Sequence, residues 1–265
     1  VGKFTGGYFT HPGLPYSRKD IYYSDKVNDI VVLMYGSVYN RAELKEYFNR
    51  SDMPDPEGVA MMFLKEHEQF AAKLNGDFAL FIYRPLRDEA YLFRDHVGIK
   101  PLAWTKRNDS LLFSSDAVGL GSFYSRGRVT EPEYILGWFK YIDYRKCPER
   151  QIHKLLPGHY LKIDGAGTEL ASYWAPGSIR TDKKLSYGDM MSDLGFLLRD
   201  SVKIRCDARF NAGSHVSGGI DSGIVASLAR SHYKHQNEFY GFSWSPAITD
   251  GKKIGNDERE LVDLT

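Results

Sequence analysis

The sequence predicts two architectures in tandem: an α+β first part, then the beginning of an α/β parallel sheet. Three observations carry this. Up to about residue 165, short apolar runs alternate with turn residues, and a few helical patterns fall between them. At Trp174-Ala175-Pro176-Gly177-Ser178 proline and glycine break any element, and polar residues follow to Lys184. Beyond that seam a helix is followed by strand, helix, strand and a further helix start, the order of a parallel sheet.

The elements follow in order. Residues 30–35 (IVVLMY) are an apolar run fit for a buried strand. Residues 41–48 fit a helix, and residues 57–67 fit another, with Val59, Met62, Phe63 and Glu66 at helical spacing. Residues 78–83 (FALFIY) form a strand entered through Asn75-Gly76-Asp77. A polar hairpin over 84–89 leads to a strand at 91–93, and further strands fall at 111–113 and 160–163. Tyr134, Ile135, Trp138 and Phe139 mark a third helix. Past the seam, Ser186 with Asp189 three residues on reads as a helix cap. Met190, Leu194, Leu197, Leu198 and Val202 then recur on one face. A strand at 214–216, a glycine turn, a helix bearing Ile220, Ile224, Val225 and Leu228, and a strand over 239–244 complete the pattern. Asp257-Glu258-Arg259-Glu260 looks like one more helix start. The boundary is therefore expected at 180/181. Two strands in the last 85 residues are few for a parallel sheet, so the chain is expected to be a fragment. Residue 1 is Val1 rather than methionine, which suggests a processed or trimmed product.

Composition narrows the function classes. Lys+Arg 35 against Asp+Glu 34 leaves a net charge of +1, which argues against a general nucleic-acid binder. No apolar run is long enough for a membrane helix, and residues 1–10 lack the basic and apolar regions of a signal peptide. Cys147 and Cys206 are too few for a disulfide scaffold or a four-cysteine zinc site, and they suit a cytoplasmic location.

The stretch Val216-Ser217-Gly218-Gly219-Ile220-Asp221-Ser222-Gly223 carries the most chemistry. Glycines allow close approach of backbone to a ligand, and the helix start offers free N–H groups and a positive dipole end. Ser217 and Ser222 add hydroxyls. The pattern is neither the Walker loop nor the dinucleotide fingerprint. Asp221 would repel a bare phosphate, so a Mg²⁺-nucleotide is the natural ligand. A tight Gly-Gly turn capped by Ser217 would produce the same spacing.

This stretch resembles the S-G-G-x-D-S pyrophosphate loop of the N-type ATP pyrophosphatases, matched at Ser217, Gly218, Gly219, Asp221 and Ser222. Upstream, residues 35–44 (YGSVYNRAEL) resemble N-G-E-I-Y-N-x-x-E-L of class II glutamine amidotransferases. Residues 74–79 (LNGDFA) resemble L-x-G-x-F-A, and 93–102 (FRDHVGIKPL) resemble A-R-D-x-x-G-I-K-P-L. Ser115-Asp116 and residues 155–160 (LLPGHY) follow in the family's order. The chain is thus similar to the asparagine synthetase family along nearly its whole length. The resemblance implies an Ntn-hydrolase-like αββα domain followed by a doubly wound ATP pyrophosphatase domain. It implies ATP and Mg²⁺ at the loop, a carboxylate that becomes an acyl-adenylate, and an amine or ammonia as acceptor. No nucleic-acid or membrane partner is implied, and a homodimer stays open. Gly98 and Pro101 would set a turn, and Arg94-Asp95 would form a buried pair.

Several positions depart from the family. Val1 stands where an N-terminal cysteine would be the nucleophile. Tyr35 replaces the oxyanion-hole Asn, and Ser37 replaces the following acid. Gly36 and Asp55, in Asp55-Pro56-Glu57, read as remnants of the glutamine site; Asp55 also reads as a plain helix N-terminal acid. These departures resemble β-lactam synthetases and lasso-peptide cyclases and imply that glutamine hydrolysis is lost. Glu258 lies where the family places an acid near nucleotide or Mg²⁺, and it equally fits a helix start. Phe242 and Trp244 fit an adenine border or core packing. His232 and His235 fit a solvated helix end better than a metal site. Alternatives to the ligase are a non-catalytic scaffold and a glutamine-hydrolysing synthase lacking its true N-terminus. A tRNA-modifying pyrophosphatase sits badly with the near-neutral charge and the upstream part.

Overall fold

The computed structural model describes residues 4–108, 110–122, 129–140, 143, 145–181, 184–234 and 239–243. The chain divides into two compact units: Val1–Thr10 with Tyr16–Arg180, and His11–Pro15 with Thr181–Thr265.

The first unit holds strands β1 (Tyr22–Asp25), β2 (Ile30–Val38), β3 (Gly76–Arg84), β4 (Glu89–Arg94), β5 (Ala103–Arg107), β6 (Ser110–Ser114), β7 (His153–Lys154), β8 (His159–Asp164) and β9 (Gly167–Ser172). Its helices are α1 (Arg41–Tyr47), α2 (Asp55–Glu66), α3 (Ala117–Ser122) and α4 (Pro132–Lys140). One antiparallel sheet has the order β1-β2-β3-β4-β8-β9, and a second has the order β6-β5-β7.

Strand alternation builds the layers. From β3, Phe78, Leu80 and Ile82 join Val59, Met62 and Phe63 of α2 in one buried cluster. The intervening Ala79, Phe81 and Tyr83 point the other way and meet Leu92, Leu161 and the Trp104, Leu111 and Phe113 of the second sheet. Ala103, Ile152 and Cys147 then pack with Leu120 of α3. The unit is therefore helix, sheet, sheet, helix, the expected αββα arrangement. Helix α2 begins at Asp55, two residues before the expected start at 57, because Pro54 is its N-cap and Pro56 sits in its first turn. His67 ends it at φ 48°.

The loop after β4 corrects one expectation. Arg94 and Asp95 do not bond each other. Arg94 donates to the carbonyls of Lys100, Leu155 and Gly98 at 2.9, 2.7 and 2.7 Å. Asp95 is fully buried and accepts from the backbone N–H groups of Val97, Ile99 and Lys100 at 3.2, 2.9 and 2.9 Å. Each side chain satisfies loop backbone that the sheets cannot reach. Gly98, at φ 74°, makes the turn.

Beside this loop His96 stands edge-on to Tyr173 and Trp174, both 5.3 Å away between ring centres. Burial lowers its pKa, partly offset by a hydrogen bond to the Ala72 backbone and by the Asp95 carboxylate. A depressed histidine contributes stability above its unfolded value, about 6.5, that is lost as pH falls through its folded value. The denaturation midpoint is thus expected to drop on acidification below 6.5, with a shallower drop in His96→Gln. Identical slopes in the two proteins would refute this assignment.

The second unit contains α5 (Tyr187–Arg205), β10 (Gly213–His215), α6 (Ile220–His232) and β11 (Tyr240–Phe242). Ser186 caps α5: its hydroxyl accepts from the Asp189 N–H at 3.2 Å. Strands β10 and β11 pair in parallel, as the strand–helix–strand order predicts. The apolar face expected on α5 is present but uncovered: no α5 residue is buried, and Met190, Leu194, Leu197 and Leu198 are exposed. Within its unit α5 meets chiefly α6, whose own Ile220, Ile224 and Val225 are also exposed.

Candidate functional site

The glycine turn joins β10 to α6. Val216, buried, donates its N–H to the Phe242 carbonyl at 2.9 Å and so continues the pairing of β10 with β11. Gly218 then reverses the chain at φ 75°, a conformation that favours glycine. Gly219, not Ser217, is the N-cap of α6, and no side chain caps that helix. Its first-turn N–H groups are thus left for another partner.

Ser217 has a different task. Its N–H donates to the Ser222 hydroxyl at 3.2 Å, and the two hydroxyl oxygens lie 3.1 Å apart. Ser222 in turn donates to the Gly219 carbonyl at 3.0 Å. These contacts draw the turn into a closed ring with both hydroxyls on it. Asp221 is exposed in the first turn of α6. The arrangement offers N–H donors, hydroxyls and one carboxylate at one end of a helix, a donor set suited to an oxyanion accompanied by a cation. Among the described residues no group of three His, Cys, Asp or Glu forms a cation site by itself.

A groove of about 490 Å³ opens beside the turn, lined by Gly218, Gly219, Ile220 and Ile224 on one wall and Gly195, Leu198 and Arg199 on the other. Arg199 belongs to no motif in the sequence, and its place on the groove wall becomes visible only in the fold.

Other candidates scatter. His215, polar in an otherwise apolar pattern, is exposed on β10 with its ring 6.2 Å from that of Phe242. Phe242 is exposed rather than core. His232 is an exposed residue in the last turn of α6. Glu258, Trp244 and His235 lie outside the described residues.

The remnant positions of the first unit come together at the end of β2. Gly36 has φ 124°, opposite Phe78 in the register with β3. Asp55 accepts from the Val38 N–H at 2.9 Å and from Arg41 Nη2 at 3.2 Å. It therefore ties the end of β2 to the starts of α1 and α2. Burial raises its pKa against the pull of those two donors. Tyr35 is half-exposed, with Lys100 Nζ 4.9 Å from its ring centre, a cation–π contact that the sequence did not reveal. Burial pushes both the Cys147 and Cys206 thiols upward, so neither is an activated nucleophile.

Comparison with known proteins follows this division. The glutamine amidotransferase domain model matches residues 22–174, more than half of the chain, and the asparagine synthase model matches residues 193–263. A glutamine-hydrolysing asparagine synthetase of Bacillus subtilis, number 3 of that organism, is 23% identical over 236 residues, covering 80% of this chain and 36% of its own. Asparagine synthetase 2 of the same organism is 29% identical, covering 76% and 29%. An amidase of Penicillium rubens is 28% identical, covering 82% and 34%. The chain thus spans about a third of the length of these relatives. Among solved structures, a glutamine phosphoribosylpyrophosphate amidotransferase from B. subtilis is similar at a TM-score of 0.43 and 15% identity, over 82% of this chain and 46% of that one.

Proposed function

Because the chain belongs to the asparagine synthetase family, we propose that its second unit binds Mg²⁺-ATP at Ser217, Gly218, Gly219, Asp221 and Ser222 and serves an amide-forming ligase. The observation that carries this is the turn itself: an uncapped helix start behind a glycine at φ 75°, ringed by two serine hydroxyls. In the reaction a carboxylate oxygen attacks the α-phosphorus of ATP. The bond between the α-phosphorus and the bridging oxygen breaks, and pyrophosphate departs with that electron pair. An amine or ammonia then attacks the acyl carbon, AMP leaves, and the nitrogen loses a proton. The first-turn N–H groups and the hydroxyls stabilise charge on the departing pyrophosphate. Asp221, the turn's one carboxylate, would hold Mg²⁺ together with phosphate oxygens and water, and the ion would neutralise phosphate charge.

Glutamine hydrolysis is, in this reading, absent from the first unit. Both Bacillus subtilis relatives are named as glutamine-hydrolysing asparagine synthetases. Here a phenol at Tyr35 stands in place of an amide donor, and Lys100 lies against it. Asp55 is already engaged by Arg41 and the Val38 backbone. The acceptor is then an amine supplied directly or free ammonia. Cytoplasmic residence and a homodimer belong to the same proposal.

Calorimetric titration of the chain with Mg²⁺-ATP tests the binding claim. Saturable binding is expected, with a loss of about tenfold or more in Asp221→Ala. No binding by the unaltered chain, or equal affinity in the variant, would overturn the reading.

A further inference from the structure

We infer that Arg199 of α5 is a second-wall cation for the polyphosphate of the nucleotide, an inference that rests on the reading of the glycine turn as a nucleotide site. The groove beside that turn has ten lining residues, and Arg199 is the one charged side chain among them. Its guanidinium lies against Gly195, one helical turn earlier. A Cβ built at Gly195 would fall 3.5 Å from both Nη1 and Nη2. A glycine inside a helix is less favourable than an alanine. Here the missing side chain leaves the guanidinium a bed on the same wall that faces Gly218 and Gly219.

Charge gives this placement its consequence. The α6 N-terminus carries roughly half a positive charge. Asp221 in its first turn opposes that with a carboxylate. The turn by itself is therefore poorly matched to a ligand bearing several negative charges. Arg199 supplies a fixed positive charge from across the groove. A guanidinium presents paired donors suited to phosphate oxygens. Leu198, Ile220, Ile224 and Leu228 add apolar surface to the groove, and none of them competes with Arg199 for the phosphate oxygens. Arg199 is exposed, so its removal leaves no cavity.

The test compares the unaltered chain, Arg199→Ala and Arg199→Lys by calorimetry with Mg²⁺-ATP, inorganic pyrophosphate and AMP. Arg199→Ala is expected to weaken ATP and pyrophosphate about tenfold while changing AMP by less than about twofold. Arg199→Lys should recover part of the loss. Equal losses for all three ligands would mark a merely structural role and overturn the inference, with thermal melts confirming whether the fold is intact. An unaltered chain that binds ATP, with Arg199→Ala binding it equally, would overturn this inference and leave the nucleotide reading standing. An unaltered chain that binds neither ATP nor pyrophosphate would remove both.

Discussion

Asp95→Ala is expected to destabilise the first unit by about 3–5 kcal/mol, a large share of the 5–15 kcal/mol available to a domain. The carboxylate is fully buried and accepts three backbone N–H groups, from Val97, Ile99 and Lys100. Alanine removes the acceptor of all three at a position where the Asp95 carboxylate itself is shut from water, and each amide left unpaired costs about 1–3 kcal/mol. Asp95→Asn separates charge from shape. Asn keeps one acceptor oxygen and turns an NH₂ toward a donor, so a loss of about 2 kcal/mol is expected. The same loop carries Lys100 to the Tyr35 ring. Urea denaturation of both variants decides the matter. A change below about 0.5 kcal/mol in Asp95→Ala would mean that the loop is held by something else.

Gly36→Ala is expected to cost more than about 3 kcal/mol, through backbone and packing together. At φ 124° an L side chain is strained whatever the room around it. There is no room: a Cβ at this position would collide with the Asp77 carbonyl oxygen and lie 2.9 Å from its carbon and 3.0 Å from the Phe78 Cα. Asp77 and Phe78 belong to β3, which pairs with β2 through this point. The strands must part or the register must shift. A variant with unchanged denaturation midpoint would show that β2 bends there at little cost. Gly36 was expected from sequence as a remnant of a glutamine site, and its conformation supplies a purely structural reason for a glycine.

The sequence made the middle of the first unit legible because its central strands are covered on both faces. Residues of β3 from Phe78 to Arg84 are all buried, so the strand reads as a continuous apolar run. The edge strands β1 and β9 hold no buried residue, with Leu170 of β9 half-exposed, and they leave no such run. Helix α5 shows the opposite failure. Its apolar spacing marks a helix correctly, yet spacing alone says nothing about what covers the stripe. At the glycine turn the residue types and their spacing were visible, whereas the contact between the Ser217 and Ser222 hydroxyls was not. It joins residues five apart through a reversal at Gly218, and the reversal also moves the cap of α6 from Ser217 to Gly219. The engagement of Asp55 by Arg41 likewise depends on α1 and α2 starting side by side, which no local pattern encodes.

The most direct measurement is an amide-resolved NMR titration of the chain with Mg²⁺-ATP, Mg²⁺-pyrophosphate and AMP. The largest shifts are expected at the N–H groups of Gly218, Gly219, Ile220 and Asp221 with ATP and with pyrophosphate, and small shifts there with AMP. Shifts of equal size with AMP, or shifts confined to residues away from the turn, would contradict pyrophosphate binding at the turn.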